Sequence, residues 1–230
     1  MSDHETTLVI AAHPDDEVLG CGGTIARLTR AGTPVAIAIL GEGLTSRYSD
    51  RTQADPAELA ALAECSRRAA AQLGVRDVSH FKLPDNRFDT VPLLEVVRLV
   101  EQVIAQVHPT VIYTHHGGDL NVDHAIVHRA VLTATRPTGD CPVRELLAFE
   151  VPSSTEWAFG QFAPAFRPNV FVDVAATLET KLAAMRTYDS EARPFPHPRS
   201  SEALQALARR WGSAAGCEAA EAFELVRGLR

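Results

Sequence analysis

Short apolar runs alternate with longer stretches of helical periodicity through the first 135 residues. The run Leu8-Val9-Ile10-Ala11-Ala12 is apolar on both faces, as is Val35-Ala36-Ile37-Ala38-Ile39-Leu40. That is the signature of parallel strands covered on both sides, and it predicts strands at 6–12 and 34–40. A helix is predicted between them at 17–31, stopped by Gly32. Asp55-Pro56-Ala57-Glu58 reads as a helix start, with a cap, Pro at the first helical position and an acid in the first turn. Leu59, Leu62, Ala63, Ala69, Ala70 and Leu73 then follow at helical spacing up to Gly74. A strand at 78–82, an amphipathic helix at 92–107, a strand at 110–114 and a helix ending near 134 complete the alternation.

Beyond Pro137 the pattern changes. Strands are predicted at 145–151 and 170–174, and helices at 177–188 and 201–211, on either side of a Pro-rich loop at 193–200 that cannot be regular helix. A last strand is read at 222–227, where Glu and Leu would suit a helix equally well. The fold class expected is α/β, a Rossmann-like three-layer sandwich with a mostly parallel sheet. The 230 residues read as one domain, with a core at 1–135 and a smaller C-terminal α+β portion at 136–230 that serves substrate or subunit contacts. Right-handed crossovers that wind outward from the first strand and then return give the order 3-2-1-4, which opens a crevice at the C-terminal ends of strands 1 and 4.

Both polar clusters of the chain sit at those two ends. One is His13-Pro14-Asp15-Asp16-Glu17; the other runs from His115 to His124. His13, Asp16 and His124 together offer two imidazoles and a carboxylate. Three such ligands, with a position left for water, fit a catalytic Zn²⁺ site, and Fe²⁺ or another divalent metal would accept them too. Asp15 projects away from its neighbour and is free to take a proton. Glu17 falls in a helical first turn, where its charge suits the macrodipole. Gly20, Gly22 and Gly23 lack a dinucleotide-binding pattern and are read as close helix–strand packing. Arg47 and Arg87 follow strands 2 and 3 on the same edge of the sheet and are candidates for a substrate phosphate or carboxylate. Asp85 and Asn86 are candidates for sugar hydroxyls, and His197 with Arg199 either rims the site or forms a surface turn.

A net charge of −7 and a pI near 5.7 argue against nucleic acid or an anionic membrane as partner and favour a small molecule. No apolar run approaches the ~20 residues of a membrane span. The N-terminal start is polar and acidic, unlike a signal peptide, and the four cysteines form no C-x-x-C pair, so a reducing cytoplasm is expected.

Ala12-His13-Pro14-Asp15-Asp16-Glu17-Val18-Leu19-Gly20-Cys21-Gly22-Gly23 and Gly118-Asp119-Leu120-Asn121-Val122-Asp123-His124 resemble the LmbE-like, or PIG-L-type, zinc N-deacetylases. The resemblance implies removal of an acetyl group from an N-acetylglucosamine-type amino sugar or its conjugate. It implies that His13, Asp16 and His124 bind zinc, that Asp15 is the general base, and that Asp123 supports the site from beside the ligand His124. It also implies a homo-oligomer. One position departs from the family pattern: where relatives often carry a His that steadies the oxyanion, this chain has Asn121, with His115, His116 or His197 as substitutes. Asn121 is equally well read as a helix cap. The alternatives are a metal-dependent amidase or esterase acting on a non-sugar acyl group, and a non-catalytic ligand-binding protein on the same scaffold.

Overall fold

Alternation along the first strand, β1 (Thr7–Ala11), divides the interior in two: Val9 and Ala11 belong to one apolar cluster, Leu8 and Ile10 to the other. The computed structural model describes residues 5–139 and 141–229, so the start of the polar N-terminal stretch, at 1–4, lies outside the described residues. The other strands are β2 (Val35–Gly41), β3 (Asp77–Leu83), β4 (Val111–His115), β5 (Glu145–Phe149), β6 (Val170–Asp173) and β7 (Ala220–Gly228). The helices are α1 (Asp16–Arg30), α2 (Pro56–Gln72), α3 (Leu93–Val107), α4 (Val122–Ala134), α5 (Leu178–Met185) and α6 (Ser201–Ala215). Helices α1, α2, α5 and α6 cover one face of the sheet, α3 and α4 the other, which makes the three layers. No helix among the described residues is long and apolar enough to cross a membrane.

The seven strands form one sheet in the order β3-β2-β1-β4-β5-β7-β6. The predicted order 3-2-1-4 is its core, and the crevice between β1 and β4 is where winding reverses. Beyond β4 the C-terminal strands extend the same sheet. β5 adds parallel to β4, and β7 enters antiparallel between β5 and β6. Pairing on both sides decides the strand conformation of 220–228, where local propensity is neutral.

Helix α1 is broken at Cys21, whose φ of −145° and ψ of 23° are not helical. A break exposes amides on one side and a carbonyl on the other, and in a buried helix these need partners. The Glu221 carboxylate of β7 accepts the N–H groups of Gly23 (2.9 Å) and Thr24 (2.7 Å). Lys181 Nζ of α5 donates to the Leu19 carbonyl at 2.8 Å and pairs with Glu221 at 2.6 Å. A buried ion pair thus closes both ends of the break. The packing reading of the glycines holds as well: a Cβ on Gly20 would collide with the Phe149 ring of β5.

Elsewhere, Trp211 Nε1 donates to the half-buried Glu150 carboxylate at 2.5 Å. Burial pushes this carboxyl up to about 7 from an ordinary 4.5. The folded state therefore holds a proton that the unfolded chain releases, so this contribution to stability is full below the unfolded value and lost as pH rises through 7. Glu150→Gln is expected to shrink the stability difference between about pH 5 and about pH 8 by roughly 2–3 kcal/mol, as read by urea unfolding at both. An unchanged difference would remove Glu150 from the pH dependence.

Candidate metal centre and pocket

Past the end of β1 the chain folds back on its own side chains. The His13 N–H donates to Asp16 Oδ2 at 2.8 Å, and the Asp15 N–H donates to Glu17 Oε2 at 3.1 Å. The other Glu17 oxygen accepts the Tyr188 hydroxyl at 2.5 Å. Burial pushes the Glu17 carboxyl up to about 7. Glu17 therefore braces the turn rather than simply complementing the helix dipole. Asp15, at the cap of α1, holds φ 105°, a left-handed value costing on the order of 1–3 kcal/mol in a residue with a Cβ.

Across the crevice, α4 delivers His124. Asp16 Oδ2 lies 3.3 Å from His13 Nδ1 and 3.2 Å from His124 Nε2. One ligand atom from each of the three residues falls within 4.8 Å of the others. Each imidazole is backed by a carboxylate on its far nitrogen. His13 Nε2 is 2.9 Å from Asp123 Oδ2, and His124 Nδ1 is 3.2 Å from Asp119 Oδ1. Such backing fixes a ring's orientation and raises its basicity toward a metal.

Asp123, adjacent to His124 in sequence, supports the other imidazole. It stands behind His13, not His124, and its second oxygen accepts the Phe88 N–H at 2.9 Å. Consecutive helical residues diverge by ~100°, so a residue adjacent in sequence is poorly placed to back its neighbour. The carboxylate behind His124 is Asp119, held by the Ser154 and Thr155 hydroxyls. Nothing in the sequence set Asp119 apart except its membership of the second cluster.

The donor set fits a divalent cation. Both His124 nitrogens are buried without an aligned hydrogen bond, which is costly unless something else engages them. His13 also clusters with Asp85 and Asp123. There, however, the Asp123 oxygen is taken up by the far nitrogen of His13, and Asp85 Oδ2 accepts both the N–H and the hydroxyl of Ser46. Burial pushes the Asp16 carboxyl up, but His124 and His115 outweigh it and hold Asp16 well below the usual carboxylate range. Burial pulls both histidines, His13 and His124, down. Asp123 and Asp16 nevertheless hold His13 well above its ordinary value, and Asp16 and Asp119 raise His124 to about 9. Protons thus compete with any metal for these nitrogens.

A polar pocket of about 210 Å³ opens beside this cluster, lined among others by His13, Asp15, Arg47, Asp85, Asn86, Asn121, His124, Glu191 and Arg199. Asp15 Oδ2 accepts from Arg199 Nη1 at 2.8 Å. Burial raises the Asp15 carboxyl well above its ordinary value, with Arg199 opposing. Asn121 caps α4 through the Asp123 N–H at 2.9 Å, and its Nδ2 donates to Asn86 Oδ1 at 2.9 Å. Its amide is thus committed at both ends.

Several expected residues lie elsewhere. Arg87 is exposed and does not line the pocket. His197 packs edge-on to Trp157 and accepts the Arg199 N–H at 3.2 Å, leaving Arg199 to reach the site. His116 is engaged by Glu224 and the Pro164 carbonyl. His115 accepts the Ala12 N–H at 2.8 Å and stacks on His124 with ring centroids 4.0 Å apart, behind the ligands. Arg47 lines the pocket, but its guanidinium is taken by Glu191 at 2.5 Å. Glu191 had no motif around it to find it by.

A family model described as PIG-L, GlcNAc-PI de-N-acetylase, matches residues 8–135. The uncharacterized deacetylase YaiS of Escherichia coli is 31% identical over 191 residues, covering 80% of this chain and 90% of that protein. Diacetylchitobiose deacetylase of Thermococcus kodakarensis is 28% identical over 239 residues, covering 99% and 85%. The solved structure of GalB, the 4-carboxy-2-hydroxymuconate hydratase of Pseudomonas putida, superposes with a TM-score of 0.77 at 21% identity, covering 98% of each chain. That last likeness is one of fold alone, and it means the fold does not choose the reaction.

Proposed function

Because the chain belongs to the PIG-L family, we propose that it is a metal-dependent hydrolase that removes the N-acetyl group from an N-acetylglucosamine-type amino sugar or its conjugate. The observation that carries this reading is Asp16 between two carboxylate-backed imidazoles with the Asp15 carboxylate beside them at the pocket wall. A binding protein would need the first three residues but not the fourth.

His13, Asp16 and His124 would hold the metal, which we read as Zn²⁺. A Lewis acid in that place would supply polarisation of an amide carbonyl and a water whose pKa is lowered toward ~7. Asp15 takes the proton of the attacking water and returns it to the departing amine, so that water and acetamide become acetate and a free amine. Arg199 orients the Asp15 carboxylate. Asp85 and Asn86, on the same wall, are the candidates for meeting sugar hydroxyls.

Acetate release from N-acetylglucosamine, its oligosaccharide conjugates and non-sugar acetamides is the direct test. The sugars are expected to be turned over preferentially, with activity abolished by a chelator and restored by Zn²⁺. Equal turnover of non-sugar acetamides would sink the amino-sugar reading, and chelator-resistant activity the metal reading.

A further inference from the structure

We propose that Glu191 is a specificity-determining residue. By pairing with both Arg47 and Arg199 it makes the pocket select an uncharged acetamido sugar over one that carries a phosphate or carboxylate. The proposal rests on reading this pocket as the sugar site. The geometry is a bridge: Glu191 Oε1 meets Arg47 Nη2 at 2.5 Å, and Oε2 meets Arg199 Nη1 at 3.3 Å. Arg199 also donates to Asp15 at 2.8 Å and to Ser153 Oγ at 2.8 Å. Both guanidinium groups lining the pocket therefore already hold carboxylates. Asp85 lines the same wall, and Asp16 and Asp123 lie buried behind it.

An anionic substituent entering here, away from the proposed metal position, finds no unengaged guanidinium. To win one, it must displace one oxygen of Glu191, whose side chain is only 11% exposed, and leave that charge half-paired beside the new one. Like charges in such a half-buried setting cost on the order of tenfold to a hundredfold in affinity. Glu191→Gln removes the charge at nearly constant shape. Arg47 is then freed, and a fork suited to phosphate faces the pocket beside Arg199, which still holds Asp15.

Binding is measured by calorimetry with N-acetylglucosamine, its 1-phosphate, its 6-phosphate and inorganic phosphate, and acetate release is measured separately. Wild type is expected to bind the neutral sugar at least about tenfold tighter than either phosphate ester. Glu191→Gln is expected to gain about tenfold or more for a phosphate ester and for inorganic phosphate, and Arg47→Ala in that background to erase the gain. Glu191→Ala serves the same purpose if the Gln variant folds poorly. Arg47→Ala alone should leave the exclusion of anions intact or strengthen it.

Equal wild-type binding of charged and neutral sugars would overturn the proposal. So would wild-type failure to bind the neutral sugar, or folded Glu191 variants with unchanged selectivity. Anion exclusion without acetate release would instead fault the deacetylase reading and leave the charge assignment standing.

Discussion

Asp15→Asn is expected to lower acetate release by about 10²–10⁴-fold while one metal per chain is retained. The substitution separates chemistry from architecture. Asn has the shape of Asp, tolerates the left-handed backbone found at position 15, and can still accept from Arg199 through its carbonyl oxygen. What it loses is the capacity to carry a proton between water and amine. The ligand atoms of His13, Asp16 and His124 are untouched by the change. Turnover and metal content of the same preparation decide the matter. Activity within about tenfold of wild type would remove Asp15 from proton transfer. Loss of metal would make it a ligand or a strut instead.

Lys181→Met is expected to destabilise the fold by about 3–5 kcal/mol, a large share of the 5–15 kcal/mol typical of a domain. Met matches the apolar stem of Lys and keeps the packing. The ammonium it removes serves two buried groups, the Leu19 carbonyl and the Glu221 carboxylate. Glu221 would keep the amides of Gly23 and Thr24, but its charge would stand uncompensated in the interior. Lys181→Met with Glu221→Gln should recover part of the loss, because the remaining amide can still accept at the helix break. Urea unfolding of the single and double variants measures both. A single-variant loss below about 1 kcal/mol would mean the pair does not close α1, and the break must then be held by packing alone.

These two expectations differ in how they could be found. Asp15 stands in a contiguous motif whose residue types announce their chemistry, and it was readable at once. Lys181 and Glu221 belong to segments with no motif, and each alone resembles a surface charge. Only the break at Cys21, produced where α1 packs against β5, β7 and α5, makes them partners. The contacts at the site have the same origin. Asp123 meets His13 and not its neighbour because side-chain direction on α4, not nearness in sequence, decides which imidazole it reaches. His197 yielded to Arg199 because the turn in the Pro-rich loop sends one side chain to Trp157 and the other to Asp15. Arg47 was foreseen at the pocket but not with a carboxylate already on it.

The sequence by itself determined the alternation of strands and helices, the order 3-2-1-4 and the meeting of the two polar clusters at one crevice. Each of these follows from local patterning joined to the handedness of crossovers, which act over a few residues or by a general rule. Only the tertiary structure decided how 136–230 joins the sheet, which carboxylate backs which histidine, and that Glu191 bridges two arginines. Those contacts join residues far apart in the chain through directions set by packing, and hydrophobic pattern and spacing carry no record of them.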